Sequence, residues 1–431
     1  MSLAFTLSLG GFLLLGAIGM PISLAALASS IAYLFMTGQD VGLVAEQALN
    51  GLFNSYVLLA VPLFILAANF MNAGTISDRL LNFCVAIVGR MRGGLAHVNV
   101  MASLIFSGMS GSAIADAAGI GRVIIDLMCR NNRYLPGYAA ALTAASSVIG
   151  PIIPPSIPMI LYALISDTSI GYLFLGGIVP GLLLALVLMI LNAITARRRN
   201  FPRDEAVPVR EIPRLTMRAF PALMLPVILL YGIYGGVTTP TEAAAVAAVY
   251  ALILSVVFYR SLTWKDFYKL VLDGARSTSV VGLIIASALV LNYLVASENV
   301  PSMVAGALAG LEMSPIVFLL GVNVLILLLG CLFDATTLLL IVVPLFLPAA
   351  KMLGIDLVHF GVVVTVNIMI GLVTPPYGVV LFVLNGVTGI PLRDIIREIW
   401  PFIFVLLLAL LAMTLIPSIV LWLPRMFGYA G

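Results

Sequence analysis

The sequence is short of charge. Asp, Glu, Lys and Arg together make up 9% of its 431 residues, against about 25% in a soluble domain. A chain that is 62% hydrophobic, with a mean hydropathy of +1.19, cannot cover itself with polar groups in water. A bilayer removes that need. Cysteine and histidine are also scarce. Cys84, Cys129 and Cys331 are scattered through apolar stretches without a CxxC pair, and His97 and His359 stand far apart. That excludes a disulfide scaffold and leaves too few ligands for a Cys/His metal site. No basic block is interleaved with aromatics and the formal net charge is only +3, so nucleic acid is set aside. The first apolar segment lacks a basic n-region and runs too long for a cleaved leader, so it reads as a retained span.

What is present is apolar sequence almost throughout. Segments near 5–36, 52–73, 79–91, 94–109, 112–129, 137–165, 172–196, 217–235, 240–259, 276–297, 314–331, 334–350, 360–386 and 396–423 are candidate spans. They read as helices, because open strands cannot sit in lipid. A full crossing needs ~20 apolar residues. The short segments at 94–109, 112–129, 314–331 and 334–350 therefore read as hairpin legs. One polar stretch interrupts the chain. It carries Arg197, Arg198, Arg199, Arg203, Arg210, Arg214 and Arg218 against Asp204, Glu205 and Glu211. Pro202, Pro208 and Pro213 keep it from being one helix. It reads as a cytoplasmic linker over 197–218, separating halves 1–196 and 219–431, and its basic surface could also bind lipid.

The halves resemble each other. An offset of 221 residues carries Gly150 onto Gly371, Pro154-Pro155 onto Pro375-Pro376, and Pro180 onto Pro401. Each Pro-Pro pair follows a polar hairpin tip, Gly108-Met-Ser-Gly-Ser112 in the first half and Gly330-Cys-Leu-Phe-Asp-Ala-Thr-Thr337 in the second. A register shared by several landmarks indicates an internal repeat. Charge gives its sense. Arg90, Arg92, Arg130 and Arg133 flank the base of the first hairpin; Glu312, Lys351, Asp356 and His359 flank the second. The first hairpin thus opens to the cytoplasm and the second to the outside, which is inverted topology.

The residues that could carry chemistry lie at these landmarks. A Pro-Pro pair removes two N–H donors and crowds the preceding turn, so it breaks a helix. Freed carbonyls suit a cation; a new helix N-terminus suits an anion. One break is often a bare kink, but two at matching repeat positions point to a binding site. Ser110 and Ser112 flank Gly111 at the first tip. Asp334, followed by Ala335, Thr336 and Thr337, sits in an apolar run where a carboxylate costs ~2.5–3.5 kcal/mol on the insertion scale. Either a bound cation resolves that cost or a protonated Asp334 caps a broken helix. Asp116 caps, pairs with Arg122 or has a functional role. Thr239 with Glu242 three residues on reads as a helix cap. Asn50, Asn54, Asn69, Asn72 and Asn99 are expected chiefly as interhelical hydrogen bonds.

At these motifs the chain resembles the large membrane subunit of tripartite ATP-independent periplasmic (TRAP) transporters, the DctM family. The resemblance is carried by Gly108-Met-Ser-Gly-Ser-Ala-Ile-Ala-Asp116, Ile149-Gly-Pro-Ile-Ile-Pro-Pro-Ser156, Gly235-Gly-Val-Thr-Thr-Pro-Thr-Glu-Ala-Ala244 and Gly371-Leu-Val-Thr-Pro-Pro-Tyr-Gly378. It spans nearly the whole chain. It implies an all-α polytopic membrane protein built as an inverted repeat. Its hairpins are expected at about 94–129 and 314–350, and its broken helices at about 137–165 and 360–386. It further implies an elevator-type transporter of the bacterial inner membrane, with no enzymatic activity and no cofactor beyond sodium as coupling ion. Carried over by position, one sodium site takes Ser110, Gly111, Ser112, Gly150 and Pro151; the other takes Gly330, Asp334, Thr336, Gly371 and Thr374. A carboxylate-bearing solute, such as a C4-dicarboxylate or sialic acid, is expected between them near Ser112, Ser156 and Thr374. The implied partners are a small DctQ-like membrane subunit on a separate chain, a DctP-like extracytoplasmic binding protein and the bilayer. A stand-alone ion-coupled carrier or antiporter of the same fold is the alternative. An intramembrane aspartyl enzyme using Asp116 and Asp334 would leave the duplicated breaks without a role, and no filter run or charged ring suggests a channel.

Overall fold

The computed structural model describes residues 2–53, 55–72, 76–203, 207–309 and 313–431. Asn54, Asp204, Glu205 and Glu312 lie outside the described residues. Those described are helical throughout, apart from turns and one isolated backbone bridge between Arg92 and Arg203. Among the described residues six helices are long and apolar enough to cross a membrane, and their outward faces are studded with exposed Leu, Val, Ile and Phe, as lipid requires.

Each half begins with scaffold helices. In the first half these are Leu3–Ala17, Ile22–Met36, Leu43–Phe53, Ala60–Asn72 and Ile76–Val88. In the second they are Ile212–Tyr234, Pro240–Ile253, Trp264–Ser297 and Val300–Ala309. The segment expected as one span over 5–36 is two helices. Gly19 takes a left-handed φ of +95° and Pro21 precedes the second helix, so the chain turns between them. Conversely, the span expected over 276–297 starts at Trp264, where Thr263 and Asp266 form a reciprocal capping box. Among the described residues of the basic linker, helix ends at Arg198 and resumes at Val209, and Pro213 sits in the first turn of the next helix, where a missing N–H does no harm.

A hairpin, a broken helix and a long helix complete each half. The first hairpin runs out along Gly94–Ser110, turns at Gly111 and Ser112, and returns through residues 113–129. The second runs out along Pro315–Gly330 and returns along Ala335–Met352. The broken helices are Pro136–Ser147 with Ile157–Ser166, and Leu357–Gly371 with Val379–Thr388. The Pro154-Pro155 and Pro375-Pro376 bonds are both cis. Each returning leg contains one π-helical stretch, Ala117–Gly121 in the first and Leu338–Val342 in the second, and these too are 221 residues apart.

The halves interlock. Val379–Thr388 packs on the returning leg of the first hairpin, and Ile157–Ser166 on that of the second. Leu392–Leu415 crosses Pro136–Ser147, while Ile170–Arg198 crosses Leu357–Gly371. Small residues permit these approaches: a Cβ on Gly137 would lie 2.7 Å from the Asp394 carbonyl oxygen. Buried polar pairs fix the register. Tyr138 donates to Asn192 Oδ1 (2.8 Å), and Asn192 Nδ2 donates to the Ala96 carbonyl (3.2 Å). At the end of the long helix Ile170–Arg198, Arg199 pairs with Glu398 at 2.8 Å and lies over the Tyr138 ring. Glu298 accepts from the Ser2 N–H (2.8 Å), from the Ser2 hydroxyl and from Tyr33 (2.8 Å). Ser2 therefore lies on the face where Trp264–Ser297 ends.

Candidate functional site

The first tip docks on the first break. Gly111 is left-handed (φ +59°), and a Cβ there would stand 2.7 Å from the Pro155 carbonyl oxygen, so glycine serves both the turn and the approach. Ser112 caps the returning leg by accepting from Ala115 N–H (3.3 Å). Ser156 caps the restarted helix by accepting from Met159 N–H (3.2 Å), and its hydroxyl donates to the Pro151 carbonyl. Ser156 is wholly buried. Gly150 abuts the Asp116 carboxylate, which a side chain at Gly150 would strike.

Asp116 is buried, and neither of its oxygens has a hydrogen-bond partner among the described residues. Ser110 Oγ, also buried and without a bond of normal geometry, lies beside it. The ion pair with Arg122 considered from the sequence does not form: Arg122 is exposed while Asp116 points inward. Ser110 and Gly150 thus lie against the Asp116 carboxylate, while Gly111 meets the Pro155 carbonyl and the Pro151 carbonyl accepts from Ser156. An orphaned carboxylate and hydroxyl beside a broken helix form an oxygen-rich site that suits a hard cation.

The second tip repeats the approach with a different charge arrangement. Gly330 and Gly371 meet backbone to backbone; a Cβ on Gly371 would lie 2.8 Å from Gly330 Cα. Asp334 is the cap of Ala335–Met352. It accepts from Thr336 N–H (2.9 Å), from Thr337 N–H (3.2 Å) and from the Thr337 hydroxyl. Its charge therefore meets a helix N-terminus as well as any ion. Thr374 Oγ1 donates to the Ile370 carbonyl (2.7 Å), so that hydroxyl belongs to the break itself. The chain resumes at Gly378 (φ +40°). Each restarted helix packs on the returning leg of the opposite hairpin, its tip turn included.

Polar zippers hold the outgoing legs to the broken helices. Asn99 Nδ2 donates to Thr143 Oγ1 (2.7 Å), Ser146 Oγ to Asn99 Oδ1 (2.9 Å), and Ser103 Oγ to Ser146 Oγ (2.9 Å). In the second half Asn367 Nδ2 donates to Asn323 Oδ1 (2.9 Å), and Asn323 Nδ2 to Thr414 Oγ1 (2.8 Å). Asn323 and Asn367 were missed from sequence, although Asn367 falls on Ser146 in the 221-residue register and so carried a readable signal. Asn69 donates to the Leu270 carbonyl (3.3 Å), an interhelical bond of the expected kind. A cleft of about 910 Å³ lies between the Asp167–Ile170 turn and the Thr239–Glu242 capping box.

Paired hairpins, paired helix breaks and interlocked inverted halves define the inverted-repeat class of secondary transporter. The chain belongs within that class to the DctM family: the model described as "Tripartite ATP-independent periplasmic transporter, DctM component" matches residues 9–419. The sialic acid TRAP transporter large permease protein SiaM of Vibrio cholerae is 41% identical over 98% of this chain and 99% of its own length. The C4-dicarboxylate TRAP transporter large permease protein DctM of Pseudomonas aeruginosa is 41% identical over 86% of this chain and 87% of its own. The sialic acid TRAP transporter permease protein SiaT of Haemophilus influenzae is 37% identical over 95% of this chain, which spans 66% of that longer protein. The fold resembles the crystal structure of the Alcanivorax borkumensis YdaH transporter, with a TM-score of 0.62 at 15% identity, covering 86% of this chain and 85% of that one. The protein is a multi-pass inner-membrane transporter subunit and not an enzyme.

Proposed function

We propose that this chain is the moving, ion-coupled subunit of an importer for a carboxylate-bearing organic acid. It takes its solute from an extracytoplasmic binding protein and is braced by a small membrane subunit. The observation that carries the reading is the buried Asp116 carboxylate, left without a partner beside Ser110 and Gly150 where a hairpin tip meets a broken helix. A sodium ion among Ser110, Gly111, Ser112, Gly150 and Pro151 would compensate that charge. A second at Gly330, Asp334, Thr336, Gly371 and Thr374 would share Asp334 with the helix N-terminus. The solute carboxylate then meets restarted helix N-termini near Ser112, Ser156 and Thr374, with the two cations offsetting its charge. An empty site leaves polar groups unpaired in an apolar surround, so crossing without ions is disfavoured. Relatives named for sialic acid and for C4-dicarboxylate are equally similar at 41% identity, which supports a carboxylate class and no single member of it. The greater length of the Haemophilus relative is in keeping with a second membrane part.

The test is uptake by proteoliposomes holding this chain with its small subunit and its binding protein. Uptake is expected only with an inward sodium gradient and with the binding protein present. Full sodium-driven uptake by Asp334→Asn would remove Asp334 from the second site. Uptake by the chain alone would favour a stand-alone carrier.

A further inference from the structure

The two hairpins do not meet the scaffold in the same way. The first lies against Ala60–Asn72, Ile76–Val88 and Ile212–Tyr234 chiefly through its outgoing leg. The second lies against Trp264–Ser297 and Val300–Ala309 chiefly through its returning leg. Where the hairpins and broken helices of an inverted repeat move together against the scaffold, the opposite state is reached when the two hairpins exchange these arrangements. The asymmetry is sharpest in the π-helical stretches. Leu340 is 1% exposed and faces the scaffold. Its repeat mate Gly119 is exposed, with no atom within 4 Å of a Cβ built on it.

Among the described residues one polar contact crosses that interface. Asn292, on Trp264–Ser297, donates from Nδ2 to the Leu340 carbonyl at 3.0 Å. π-Helical turns loosen the regular backbone ladder, and here a scaffold side chain supplies a donor to it. Asn292 Oδ1 is buried without a partner, so the amide is held through its donor end. The mate of Asn292 is Met71, fully buried and without a hydrogen to donate. After an exchange, Gly119 would face Met71 and no equivalent bond could form.

We propose that Asn292 is a one-sided latch, a positioning residue that biases the transport cycle toward the conformation described above by bonding the π-turn of the second hairpin. This rests on the moving-domain reading given under Proposed function. A bond of this kind shifts a two-state equilibrium about fivefold.

The test uses the full chain with its small subunit in membrane vesicles, with Cys84, Cys129 and Cys331 replaced. Gly108→Cys with Pro226→Cys reports the present state, since a Cβ on Gly108 would lie 3.0 Å from Pro226 Cβ. Phe5→Cys with Leu329→Cys, the mates of Pro226 and Gly108 at the 221-residue offset, reports the exchanged state. Asn292→Leu is expected to lower the ratio of first to second cross-link about fivefold. Met71→Gln, which keeps Asn292 and offers a donor to the exchanged state, is expected to lower it similarly. Unchanged ratios in both variants overturn the latch while leaving the moving domain intact. If the Phe5–Leu329 pair never forms in the otherwise unaltered protein, with or without sodium and solute, the moving-domain reading falls and the latch with it.

Discussion

Replacing Gly371 with alanine tests whether the second tip–break junction depends on backbone contact. The added Cβ would stand 2.8 Å from Gly330 Cα, 2.9 Å from Gly330 C and 3.2 Å from Gly330 O. Carbon atoms pack best at about 3.5–4.0 Å, so relief requires the two helices to separate by several tenths of an ångström or more. All three neighbours are backbone, and no side chain can rotate away. Overpacking of this kind costs about 1–3 kcal/mol. The strain falls where the proposed ion site must close. Gly371→Ala is therefore expected to lower the melting temperature of the purified protein and to abolish most sodium-driven uptake. Gly321→Ala and Gly386→Ala are matched controls on the same hairpin and the same broken helix, since nothing lies within 4 Å of a Cβ at either. They are expected to be neutral or stabilising by up to about 1 kcal/mol. If Gly371→Ala melts and transports like the controls, the close approach is not needed and the reasoning fails.

Asp116→Asn removes a buried charge that has no partner in the ion-free protein. It should hold or raise the melting temperature in sodium-free buffer while removing both sodium-induced stabilisation and uptake. A variant that melts lower without sodium and still transports would contradict the placement. Asn99→Leu removes the buried interhelical bonds to Thr143 and Ser146, whose hydroxyls keep only their own-helix carbonyl acceptors and the Ser103 contact. A loss of about 1–3 kcal/mol is expected by thermal unfolding, whereas Arg199→Ala, which removes a partly exposed ion pair, should lose no more than about 1 kcal/mol.

Sequence alone determined the membrane, the repeat and the places where helices break. Low charge, apolar length and the cis-capable Pro-Pro pairs are properties of local chain chemistry, and the 221-residue register survives in the letters because both halves bury the same landmarks. Only tertiary structure decided how charge is met at the two junctions. Asp334 drew attention as a carboxylate in an apolar run, yet it finds two backbone N–H groups and a threonine hydroxyl on its own helix. Asp116 looked less exceptional in sequence beside Arg122, yet folding turns the arginine outward and leaves the carboxylate alone against Gly150. Whether a buried charge is paired depends on which atoms packing brings within about 3 Å of it. For Asp334 those atoms are two and three residues on, a cap legible in the sequence, whereas Asp116 meets Gly150 from a distant helix, as Asn292 meets Leu340 across the scaffold interface. No spacing in the sequence encodes such contacts, because they arise from the angle at which packed helices meet.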